Sequence, residues 1–169
     1  MPQHHEYPRL LSITLAMLVL LFLEQDVFVP VFGVTPSLAL PFVVAVGITE
    51  GPYMGGGFGA AAGLLLDHGI AAGYGFSALL FMILGIAAGL LIDYFRLSVP
   101  TCAVFTAVAA FVGFFLRWFF FWYLWHGTGL FFRVVPLQIL YATLLSAPVF
   151  LLVRFLSRRF GSLKRVTDL

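Results

Sequence analysis

Between Gly51 and Asp93 the chain runs GPYMGGGFGAAAGLLLDHGIAAGYGFSALLFMILGIAAGLLID, almost wholly apolar and dense in glycine. Only Asp67, His68 and Asp93 in this stretch can carry charge near neutral pH. A water-soluble fold has little use for such a segment. Glycine costs about 1 kcal/mol relative to alanine inside a helix, and too few polar groups remain to wet an outer face. In lipid the same composition is favourable. Small residues let helix backbones approach closely, and the carboxylates fall near the span ends.

The rest of the chain agrees. Of its 169 residues 62% are apolar and 9% charged, and the mean hydropathy is +1.08. Soluble domains carry about 25% charged residues. The deficit predicts an all-α integral membrane protein with a single transmembrane domain over 1–169. Cys102 is the only cysteine, so no disulfide can form within the chain. The few basic residues gather at the chain ends, a membrane signature rather than a nucleic-acid-binding one.

Apolar runs broken by turn residues or charges predict six spans. The first covers Leu10 to Leu23 and stops at Glu24-Gln25-Asp26. No small-x-small cleavage site follows it, so it reads as a retained span rather than a signal peptide. The second opens near Pro36 and ends by Thr49. The third starts at Pro52, which suits a first helical turn, and runs to Leu66. The fourth covers Tyr74 to Ile92, the fifth Pro100 to Tyr123, and the sixth Val134 to Leu156. The second and third are short against the roughly 20 residues a span needs. Short, glycine-broken spans occur in transporters and in small bundles with no transport role, and both readings stay open here.

With six spans, Arg9, Arg96, Arg154, Arg158, Arg159, Lys164 and Arg165 share one side, while Glu24, Asp26, Asp67 and Arg133 lie on the other. The positive-inside rule then puts both termini in the cytoplasm: residues 1–9 as a short N-terminus and 157–169 as a basic tail.

Gly55, Gly59 and Gly63 recur every fourth residue along one face of the third span, and Gly85 and Gly89 repeat the spacing on the fourth. This small-xxx-small pattern brings helices together backbone to backbone. It serves packing within the chain or docking of a partner helix. The run Gly55-Gly56-Gly57 has no following Lys-Ser/Thr and is not a phosphate loop.

Asp67 ends an apolar helix, where a carboxylate opposes the helix dipole. It is expected to be solvated, to cap the turn that follows, or to pair with Arg117 or Arg133. Arg117 sits roughly 26 Å along the fifth span from Pro100, near the far interface, where an arginine can snorkel. Trp118, Trp122 and Trp125 follow it. They read either as an aromatic belt at the headgroups or as a partner-binding surface.

His4, His5, His68 and His126 show no metal-ligand spacing with one another or with a cysteine or carboxylate. No serine or cysteine stands in a nucleophile motif. The chain is therefore expected to be no enzyme and to need no cofactor or metal.

One local pattern goes further. Gln25 follows the first span, Gly33-x-x-Pro36 opens the second, and Gly51-Pro52, Gly59, Gly63-Leu64-Leu65-Leu66-Asp67 and Gly73-x-Gly75 come in that order. In this order, and in length and span count, the chain resembles the bacterial rod shape-determining MreD family. The resemblance covers Leu10 to Leu91; past Asp93 it rests on hydropathy and the basic tail. Ser37 stands where the family pattern has an acid, and Glu50 where it has a basic residue. The resemblance implies a non-enzymatic component of the cell-elongation machinery in the bacterial cytoplasmic (inner) membrane. Its implied partner is MreC, a bitopic membrane protein. Through MreC it implies links to RodA, a class B penicillin-binding transpeptidase and MreB, and so to cell shape and peptidoglycan synthesis. The implied fold resembles the six-helix substrate-binding subunits of energy-coupling-factor transporters. The alternative function is that of such a vitamin-binding subunit. Against it, the first span offers only Ser12 and Ala16 at the spacing those subunits use for docking, and the Glu24–Pro36 loop is too apolar to suit a polar vitamin.

Overall fold

The computed structural model describes residues 6–24, 37–67, 75–95, 97–124 and 131–159. They form six α-helices: α1 (Glu6–Phe22), α2 (Ala39–Glu50), α3 (Pro52–Asp67), α4 (Phe76–Leu91), α5 (Val99–Leu124) and α6 (Phe131–Arg159). A 3-10 turn, Ile92–Tyr94, extends α4. There is no strand among the described residues.

The helices begin and end where the local chemistry requires. Gly51, at φ 102°, separates α2 from α3, and Gly75, at φ 81°, precedes α4. Both angles favour glycine, which has no Cβ to clash. At the start of α5, the Ser98 hydroxyl accepts the Thr101 amide at 3.4 Å, a side-chain cap of the usual kind. Helical backbone extends beyond the expected spans at both chain ends. Residues 6–9 belong to α1 and 157–159 to α6 rather than to free tails.

Among the described residues three helical stretches are long and apolar enough to cross a membrane: Phe76–Tyr94, Val99–Leu116 and Pro136–Arg159. Pro8–Phe22 and Ala39–Glu50 are apolar but shorter. Large apolar side chains cover the outside. Leu15 and Phe22 of α1, Leu79 and Ile83 of α4, Val108 and Phe115 of α5, and Leu144 and Phe155 of α6 are all exposed. Such a surface fits lipid, where an exposed leucine carries no penalty.

α2 is the axis of the bundle. Every residue from Ala39 to Thr49 is buried, and α3, α4, α5 and α6 all pack against it. Its sequence has no polar face, as a helix enclosed on every side requires. Its 12 residues make a rod of roughly 18 Å. The 26 residues of α5 and 29 of α6 reach roughly 40 Å. The central helix is therefore much shorter than its walls.

The glycines set how closely α2, α3 and α4 meet. A Cβ built on Gly55 would lie 2.5 Å from the Cα of Gly47 and 2.6 Å from the carbonyl oxygen of Gly85. Cβ atoms on Gly59, Gly63 and Gly85 would run into the backbone of Phe81, Ala78 and Gly55, and one on Gly89 would reach the Pro52 nitrogen at 2.5 Å. The stripe thus lies inside the molecule. Gly47 of α2 joins it, making a three-helix junction of backbones that the spacing on α3 and α4 alone does not reveal.

Candidate functional site

Each of the first three helices ends on or just before an acid, and each acid is met by another element. Glu24, just past α1, accepts the Leu38 and Ala39 amides at 3.0 and 2.9 Å through Oε2. Asp67, the last residue of α3, accepts the Ser77 amide at 3.0 Å through Oδ2. The device is the same in both cases. A carboxylate that opposes the dipole of its own helix settles on the orphan amides that open the next helix, where negative charge is favoured. Asp67 is buried and forms no ion pair among the described residues. It is a cap for α4 rather than a solvated loop group.

Asp67→Ala should remove that cap and cost about 0.5–2 kcal/mol. The detergent-solubilised protein should then melt at a lower temperature, while Asp67→Asn, which keeps an acceptor oxygen, stays close to the parent. An Asp67→Ala variant that melts with the parent would show the contact to be idle.

The third acid lies at the opposite end of the bundle. Glu50 closes α2. Its Oε2 is 3.4 Å from Arg9 Nε of α1, with the two side chains only 3% and 10% exposed. Its Oε1 accepts the Ser157 hydroxyl of α6 at 2.5 Å. Arg9 Nε is paired with the carboxylate by charge and is not aligned for a hydrogen bond. The cluster ties α1, α2 and α6 together.

At the Glu24 end the shortness of α2 has a direct result. The axial helix starts only at Ala39, and between the longer walls beyond it lies a cavity of about 220 Å³. Its floor and sides are apolar, with Leu40, Leu80, Phe81 and Phe114, and the small residues Ala110, Gly113 and Ala142 leave the room. Among the described residues its polar groups are Glu24, Ser37, Ser77 and Gln138, from different parts of the chain. Apolar walls with a few convergent polar groups are the usual make-up of a ligand site.

Arg117, Trp118 and Trp122 fall on α5 and Arg133 on α6, but their side chains are outside the described part of the structure, and Trp125 lies outside the described residues. The described part of α5 does show an exposed face through Val104, Val108, Phe111, Phe115 and Phe119. Phe111 and Phe115 stack on it with centroids 6.4 Å apart. Cys102 is buried in α5. No group of three or more potential metal ligands occurs among the described residues.

Sequence reading missed Ser157 and Gln138 altogether, placed Arg9 only by side, and met Ser37 and Glu50 only as departures from a family pattern. One signal was present: Arg9 and Glu50 carry opposite charges at the same end of two apolar helices.

No family model matches the chain, no curated protein matches it, and no solved structure matches its fold.

Proposed function

We propose that this chain is an MreD-type component of the bacterial cell-elongation machinery, a non-enzymatic protein that receives the transmembrane helix of an MreC-like partner. In this reading all six helices are membrane-embedded, with α2 sheltered from lipid by its neighbours, and both termini face the cytoplasm. Three things support it: the ordered motif from Gln25 to Gly75, the helical architecture with three stretches able to cross a membrane, and the exposed face of α5. The last carries the argument. Association in lipid depends on shape and packing, and a ridge of stacked, rigid aromatic rings supplies both. α5 continues past Phe119 to Leu124, and on sequence spacing alone we add Trp118, Trp122 and Trp125 to the proposed surface.

Co-expression with a tagged MreC-like protein tests the reading. Phe111→Ala with Phe115→Ala, or Trp122→Ala with Trp125→Ala, should lower the recovered partner about tenfold, as loss of aromatic anchors does at other interfaces. Leu140→Ala with Leu144→Ala, exposed on α6, should not. Equal recovery from all four proteins would remove α5 as the docking face.

A further inference from the structure

We infer that the cavity above α2 is a binding site for an uncharged small molecule that carries a carboxamide or hydroxyl group on an apolar ring. The inference does not depend on the cell-elongation reading.

Gln138 carries it. Its side chain lines the cavity and makes no hydrogen bond among the described residues. A primary amide has two donors and two acceptor sites. The residue is half-buried, and that capacity is open to whatever occupies the cavity. Ser37, across the cavity, is in the same position: it lines the space and makes no hydrogen bond to protein. Two uncommitted polar groups on walls from different elements are what a ligand with matching groups requires.

Charge and shape narrow the class. Among the described residues Glu24 is the only charged one that lines the space, and its negative charge disfavours an anion. Glu24 Oε2 is already committed to two amides at the start of α2, so it is not held ready as a counter-ion for a cation. An acyl chain would leave Gln138 and Ser37 unmet. The apolar part of the lining includes Phe81 and Phe114, which suit a flat ring. The volume is that of about seven liquid waters, enough for one substituted ring. A filling of water alone is the competing occupant and is an outcome of the test.

Gly113 gives a clean way to block the site. It lines the cavity, and a Cβ there meets only Leu80 Cδ2 at 3.4 Å and Leu84 Cδ1 at 3.7 Å. Both are ends of flexible side chains, so a larger residue enters the cavity without striking backbone.

The test uses the full chain in nanodiscs and three fluorinated probes of one shape: fluorobenzamide, fluorobenzoate and fluorobenzylammonium. Fluorine NMR of each probe reads binding. The benzamide should bind saturably, and the benzoate and benzylammonium at least tenfold more weakly. Gln138→Leu, which removes the amide at similar volume, should weaken benzamide about tenfold, as the loss of a pair of hydrogen bonds does. Gly113→Leu should abolish binding. Both variants are first checked for parental elution and melting; if Gly113→Leu fails that check, Gln138→Leu decides alone. Benzamide that does not saturate, three probes that bind alike, or binding that survives Gln138→Leu would each overturn the assignment and leave the cavity to water.

Discussion

Gly85→Leu should leave little folded protein. The glycine sits where α2, α3 and α4 touch through their backbones, and even a Cβ there collides with the Gly55 carbonyl and comes within 3.0 Å of Val43 Cγ1. Nothing in that set can rotate away except Val43, so the helices must separate. Overpacking of an ordinary core costs about 1–3 kcal/mol. A clash against backbone belongs at or above the top of that range, against a total stability of about 5–15 kcal/mol for a typical domain. Gly59→Leu should behave alike, because its Cβ meets the backbone at Phe81. The control is two residues away. Gly57 has nothing within 4 Å of a built Cβ and is exposed, so Gly57→Leu should fold normally and gain up to about 0.8 kcal/mol of helix propensity. Unfolding in a denaturing detergent reads all three. A Gly85→Leu protein as stable as Gly57→Leu would mean that α3 and α4 are not in backbone contact.

Breaking the Arg9–Glu50 pair should have the next largest effect. Glu50→Leu strands a buried guanidinium and deprives Ser157 of its acceptor. Removing one partner of a buried pair costs about 3–5 kcal/mol, whereas replacing both with apolar residues is often neutral. Arg9→Leu with Glu50→Leu should therefore be clearly more stable than Glu50→Leu alone. A double-mutant cycle makes the comparison. If the two single effects simply add, the charges stabilise the fold separately and the 3.4 Å contact contributes nothing.

The positions of the helices were legible because apolar runs and their punctuation are local. Gly51-Pro52 marks the break between α2 and α3, and the fourfold glycine spacing marks the face of α3 that meets α4. The place of α2 was not legible. A 12-residue run without a polar face reads the same whether lipid or protein surrounds it, since both are apolar. The acid caps were hidden for another reason. Asp67 looks badly placed on its own helix, and the Ser77 amide that receives it lies beyond a turn whose path the sequence does not give. The Arg9–Glu50–Ser157 cluster joins residues far apart in the chain, so it depends on helix packing. Gln138 stands out only once the cavity is seen.

α2 is fastened at both tips. Its first amides are held by Glu24, and its last side chain is held by Arg9 and Ser157. Between them its side chains are apolar except for Thr49, whose hydroxyl bonds back to the Ala45 carbonyl of its own helix, and no hydrogen bond among the described residues crosses to a neighbour to resist sliding. It is therefore a strut. An axial displacement away from Glu24 by one residue rise, about 1.5 Å, would disturb the 2.9 Å bond at Ala39 and the 2.5 Å bond at Glu50 together. A thrust on the cavity floor is thus delivered, roughly 18 Å away, to the polar knot that joins α1 and α6.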